Sequence, residues 1–188
     1  MLFSEMWIFG YGSLMWKINF PYEQKIIGYI KGFKRRFWQG SEDHRGIPGS
    51  PGRVVTIVPS SNPEDQVYGV AYKIAEDDIL DVIKYLDFRE KDGYQQQTVL
   101  FHPYNEELKP FEITIYIGDT SNPFYLGPAP LDIIAKQILH SEGPSGRNDD
   151  YLFQLAEAMR NLVPHIYDAH LYELEKLVKS MKVEIHLK

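Results

Sequence analysis

Two groupings in this 188-residue chain have residue types and spacing that chemistry can use. The first is Ile8-Phe9-Gly10-Tyr11-Gly12-Ser13-Leu14. The apolar run from Met6 to Phe9 reads as a strand. It opens into two glycines that bracket a tyrosine, with a serine behind them. Glycine tolerates positive φ and lets a ligand come close to the main chain. N–H groups bared in such a loop suit a carboxylate or a developing oxyanion. The same pattern taken alone is also an ordinary turn. It is not a dinucleotide fingerprint, which needs a glycine where Met15 stands, nor a P-loop, since no Gly-Lys-Ser/Thr follows. The second grouping is Tyr85-Leu86-Asp87-Phe88-Arg89-Glu90-Lys91. A helical stripe stops near Leu86, so Glu90 falls just past a helix end and before the Asp92-Gly93 turn. Directed into a pocket, its carboxylate is a general base. Left in solvent, it is one charge among Arg89 and Lys91. Asp87 is the rival carboxylate.

Other chemistries find little footing. The chain has no cysteine, which removes disulfides, thiol nucleophiles and zinc–thiolate sites. His165 and His170 are five apart and miss the i, i+4 spacing of a helical metal pair. His44, beside Asp43 and Arg45, is either a loop ligand or a surface histidine. No Gly-x-Ser-x-Gly elbow is present. The net charge of −6 argues against a nucleic-acid surface. Lys31, Lys34, Arg35 and Arg36 alternate with Phe33, Phe37 and Trp38, and read as a strand with one solvated face. No signal peptide and no membrane-spanning run is visible. The expectation from these features is a soluble, intracellular protein with no nucleic-acid or membrane partner.

Elements must position these groups. Strands are predicted over 6–11, 26–32, 33–38, 54–58, 67–74, 96–102 and 111–117, rich in Val, Ile, Tyr and Phe and bounded by Gly, Pro, Asn or Asp. One helix interrupts them, with Ile79, Val82, Ile83 and Leu86 on one face and Glu76, Asp77 and Asp78 in its first turn. The last third is helical. Leu131, Ile134, Ala135 and Ile138 form one stripe; Leu152, Leu155, Ala156, Met159 and Val163 a second; Leu171, Leu174, Leu177, Val178 and Met181 a third. Strands first and helices later indicate an α+β fold in a single domain over 1–188, with 1–5 and 183–188 as tails. Two long loops, 40–52 and 118–130, have the composition of binding loops or lids, and the first also reads as a plain connector.

Several blocks together resemble one family. FGYGSL at 9–14, RRFWQGSEDHRGIPGSPGRVVT at 35–56, VYGVAY at 67–72, YLDFREKDGY at 85–94, YLGPAP at 125–130 and GPSGRNDDYLFQLAEAMRNL at 143–162 are similar to the ChaC-type γ-glutamylcyclotransferases. The compact length suggests the shorter, constitutive branch. The resemblance implies a γ-glutamylcyclotransferase-like fold, a small mixed β-barrel with helices packed around it. It implies cleavage of glutathione to 5-oxoproline and cysteinylglycine without a cofactor. The family's catalytic glutamate falls on Glu90, its substrate loop on Ile8, Phe9, Gly10, Tyr11, Gly12 and Ser13 with Leu14 adjoining, and a substrate-enclosing tyrosine on Tyr125. The loop and the glutamate handle only the glutamyl end. Other γ-glutamyl amino acids or γ-glutamylamines therefore stay open as substrates, as does a non-catalytic ligand sensor. Asp43, His44 and Arg45 are the residues expected to read the far end of the substrate.

Overall fold

The computed structural model describes residues 5–89, 94–118 and 120–186. In chain order the elements are β1 (Met6–Gly10), β2 (Gln24–Lys31), β3 (Phe33–Ser41), β4 (Gly52–Pro59), β5 (Gln66–Ile74), α1 (Ile79–Arg89), β6 (Tyr94–Pro103), β7 (Phe111–Gly118), α2 (Leu131–His140), β8 (Glu142–Gly143), β9 (Gly146–Arg147), α3 (Asn148–Leu162) and α4 (Ala169–His186). They fall in two compact units, Met1–Lys34 with Ile57–Pro123, and Arg35–Thr56 with Phe124–Lys188.

The first unit is a closed barrel in the order β1-β5-β2-β6-β7. β5 lies between β1 and β2. It pairs antiparallel with β1 from Met6↔Ile74 to Gly10↔Val70, and with β2 from Gln24↔Lys73 to Lys31↔Gln66. β6 runs antiparallel to β7 from Tyr94↔Gly118 to Phe101↔Phe111. A parallel contact, Ile8↔Thr114, closes the barrel, so the sheet is mixed as the resemblance implied. Ile8, Ile30, Ala71, Phe101, Ile113 and Ile115 fill it, all within a percent of full burial. Period-two alternation in β7 sends Ile113 and Ile115 inward and leaves Glu112 outside. In α1 the residues Ile79, Val82 and Leu86 are buried at helical spacing, while Asp81, Lys84 and Asp87 face out.

The second unit contains α2, α3 and α4, the β8–β9 hairpin and most of the two-stranded β3–β4 sheet. Phe37, Ile134, Ala135, Ile138, Leu152, Leu155, Ala156, Leu171, Leu174 and Val178 are fully buried there. The predicted stripes of α2, α3 and α4 supply these core faces, with Leu131, Leu177 and Met181 half-buried at their margins.

Several boundaries differ from the sequence reading. β2 begins at Gln24 and β3 continues to Ser41, because ladder pairing such as Gln24↔Lys73 recruits polar residues that no apolar alternation marks. Glu76, Asp77 and Asp78 form a separate 3-10 turn ahead of α1. The short β8–β9 hairpin separates α2 from α3, and Gly146 takes φ +100°, a left-handed value open to glycine.

Candidate active-site loop and its supports

The glycine segment leaves the barrel at the end of β1. Ile8 and Phe9 are core side chains, so a ligand meets them only through the main chain. Gly10 has no room for a side chain: a Cβ there would lie 2.8 Å from the Cβ of Leu14. That close approach folds the chain back into a 3-10 turn over Ser13–Met15. The turn's hydrogen bonding starts with the Met15 N–H donating to Gly12 C=O at 2.9 Å, which leaves the Leu14 N–H outside it. Gly12 and Ser13 are half-buried at the apex, while Tyr11, Leu14 and Met15 are buried on either side. The apex thus presents main chain with little side-chain cover.

Two phenols fasten this turn. The Tyr11 hydroxyl donates to the Tyr116 carbonyl oxygen on β7 at 2.6 Å. The Tyr72 hydroxyl, from β5, donates to the Leu14 carbonyl oxygen at 2.7 Å. Burial pushes the Tyr72 phenol well above its ordinary pKa, so it stays a neutral donor. Asp87 lies in the last turn of α1, where its Oδ1 accepts from the Tyr116 hydroxyl and from Gln96 Nε2, both at 3.0 Å. Glu90, Asp92 and Gly93 lie outside the described residues.

Tyr125 belongs to the second unit. It bridges Gln39 of β3, and the neighbouring Leu126 N–H donates to Trp38 C=O at 2.8 Å. Its hydroxyl has no hydrogen-bond partner among the described residues. The loop 40–52 is tied to the same unit. Ser41 Oγ accepts the Arg45 N–H, Glu42 accepts the Gly49 N–H, and His44 Nδ1 meets Ser145 Oγ at 3.2 Å. Arg45 is buried, donates to Arg147 C=O at 2.9 Å and lies over the Tyr151 ring. Of the basic cluster, Arg35 is buried against Asp168 at 2.8 Å, and Lys31 and Lys34 pair with Glu64 and Asp65. Among the described residues no three His, Asp or Glu side chains gather as a metal site. Likewise no helix there is long and apolar enough to cross a membrane.

The sequence profile of the family described as ChaC-like protein matches residues 6–181. The chain belongs to the ChaC family. Its curated ChaC-type relatives include glutathione-specific gamma-glutamylcyclotransferase 1 of Danio rerio, 45% identical over 176 residues that cover 92% of this chain and 88% of that protein. Gamma-glutamylcyclotransferase 2-3 of Arabidopsis thaliana is 44% identical over 185 residues, covering 95% and 91%. The crystal structure of a yeast gamma-glutamyl cyclotransferase specific to glutathione superposes with a TM-score of 0.87 at 32% identity, over 94% of this chain and 96% of that one.

The ChaC match explains which blocks stand out in the sequence but not what holds them. Tyr72 and Tyr116 lie in strands whose apolar pattern they merely continue, and Gln96 is one of three successive glutamines. Nothing in those patterns marks them as supports of the loop. Within the second unit, Arg53 fastens a different stretch of backbone. Its N–H and C=O pair with the Asn148 amide at 2.7 and 2.8 Å. Its guanidinium donates to Gln137 Oε1, Phe37 C=O and Gly127 C=O at 2.6, 3.0 and 3.4 Å.

Proposed function

We propose that this protein is a glutathione-specific γ-glutamylcyclotransferase, releasing 5-oxoproline and cysteinylglycine. The observation that carries this reading is the 45% identity, over 92% of the chain, with a curated enzyme of that name. The half-buried glycine turn supports it from the geometry.

The reaction is intramolecular. The glutamyl α-amine attacks its own γ-carbonyl carbon and closes a five-membered lactam. A C–N bond forms, and the C–N bond to cysteine breaks. Holding the chain in a near-attack conformer supplies on the order of 7–11 kcal/mol. Two tasks remain. The amine arrives as ammonium, and Glu90 takes its proton, then returns one to the departing cysteinyl amine. The tetrahedral oxyanion and the α-carboxylate need donors, which the N–H groups of Gly12 and Leu14 provide. Main-chain donors held by Tyr11 and Tyr72 need no reorganisation as charge develops. The resemblance adds Tyr125 as a substrate contact, and its hydroxyl, without a hydrogen-bond partner among the described residues, suits that role. A monomeric cytoplasmic enzyme acting as one domain is part of the same proposal.

The test is release of 5-oxoproline from glutathione by wild type and Glu90→Gln, with γ-glutamylalanine and γ-glutamyl-lysine in parallel. Glu90→Gln is expected to lose at least about 100-fold in kcat with KM nearly kept, the range for loss of a general base. A near-normal rate would remove Glu90 as the base. Release from the other peptides would move the substrate while keeping the mechanism.

A further inference from the structure

Asp87, Gln96 and Tyr116 form a closed ring of three hydrogen bonds in the barrel unit. The Tyr116 hydroxyl and one N–H of the Gln96 amide both donate to Asp87 Oδ1 at 3.0 Å. The other Gln96 N–H donates to the Tyr116 hydroxyl oxygen at 2.8 Å. The donor and acceptor roles are mutually consistent. The amide gives two protons, the phenol takes one and gives one, and the carboxylate oxygen takes two. Three elements meet in this ring: the last turn of α1, β6 and β7.

Its position distinguishes it from an ordinary surface fastening. Ile79, Val82 and Leu86 already hold α1 by burial. The ring adds control of the height and rotation of the helix's final turn, from which the chain runs on to Glu90 three residues later in sequence. Tyr116 also reaches the glycine loop, since its own carbonyl oxygen accepts the Tyr11 hydroxyl at 2.6 Å. One residue of β7 therefore contacts the end of α1 through its side chain and the substrate loop through its main chain.

We propose that Asp87, Tyr116 and Gln96 are positioning residues for the cyclisation, setting the end of α1 and the Tyr11–Leu14 loop in one register. This rests on the reading that the loop and Glu90 carry the reaction. Asp87 then acts through its acceptor oxygen and not as a base. Asparagine at 87 keeps an oxygen able to accept both bonds, whereas alanine removes it.

The experiment compares Asp87→Ala, Asp87→Asn and Tyr116→Phe with Glu90→Gln, measuring kcat and KM for glutathione and the thermal midpoint of each. A misplacement of about an ångström is enough to cost on the order of 100-fold. Asp87→Ala and Tyr116→Phe are expected to lose at least about tenfold in kcat, with KM within a factor of about 3. Asp87→Asn should stay within about threefold of wild type. Tyr116→Phe keeps the ring in the barrel wall and stands in if Asp87→Ala does not fold. Unchanged kcat in Asp87→Ala or Tyr116→Phe, with Glu90→Gln inactive, would overturn the positioning role and leave the base intact. Asp87→Asn as inactive as Glu90→Gln would also overturn it, because the charge would then be part of the chemistry. An active Glu90→Gln would instead remove the reading beneath it.

Discussion

The turn at 11–14 in the barrel unit and the segment at 124–127 in the helical unit are both backbone held by side chains, but by different chemistry. The first is held by neutral phenols, Tyr11 and Tyr72, each donating to one carbonyl. The second is met by a buried cation, since Arg53 spreads its donors over Phe37, Gly127 and Gln137. Burial lowers the Arg53 pKa from its ordinary value, and no carboxylate pairs with it among the described residues. Its charge is stabilised by carbonyl dipoles instead. A phenol fixes one carbonyl without bringing charge into the barrel, which suits a loop proposed to receive charge from substrate. An arginine fixes several acceptors at once, at the cost of desolvating a cation.

The contrast is sharpest under substitution at Arg53. Arg53→Met would leave three acceptors unmatched and is expected to cost about 3 kcal/mol or more. For a chain of this size that lowers the midpoint by about 6–12 °C, read by thermal unfolding. A midpoint equal to wild type would mean water replaces the guanidinium freely.

The helical unit should also be the acid-sensitive one. His170 accepts the Phe37 N–H at Nε2, which fixes the neutral ring with its proton on Nδ1. Burial lowers its pKa from 6.5 to about 4, helped by nearby Arg36. The unfolded chain therefore takes up this proton first as pH falls. His170 contributes stability that is full above about 6.5 and is lost on descending to about 4, by roughly 3 kcal/mol at most. His170→Gln keeps an acceptor for the Phe37 N–H and should flatten that part of a stability-against-pH curve. A wild-type curve already flat there would dismiss the neutral histidine. Asp149 and Glu175 add losses at lower pH. Burial alone would raise them, but hydrogen bonds from Arg147 and Lys182, and from Arg160 and Lys179, hold their carboxyls below the ordinary range.

The smallest effect is expected at Tyr72. Tyr72→Phe removes one bond to Leu14 C=O and should cost about 1 kcal/mol of stability. Its larger signature would be kinetic, a several-fold fall in kcat as the turn loosens. An unchanged rate would show that the Tyr11 bond and the Gly10–Leu14 approach hold the turn without Tyr72.

Elements with strong periodicity were legible before any coordinates. The stripe of Ile79, Val82, Ile83 and Leu86 and the three stripes of the last third became core-facing, with Ile83, Leu131, Leu177 and Met181 half-buried at their margins, because period 3.6 and burial are one constraint. The glycine pair was legible for a local reason too, since an adjacent turn must fold back within a few residues. The closed barrel came from the resemblance, because alternation along a strand says nothing of its neighbours, and the Ile8↔Thr114 closure joins residues far apart in sequence.

Local pattern therefore determined the elements and marked Gly10–Leu14 and Glu90 as the places to look, since spacing and turn chemistry act over a few residues. Only the tertiary structure decided that Tyr72 reaches Leu14 and that Asp87 meets Tyr116 and Gln96. It alone buried Arg53 among carbonyls. Those contacts depend on strand order and register, and a tyrosine or glutamine in a strand looks alike whichever neighbour its polar end finds.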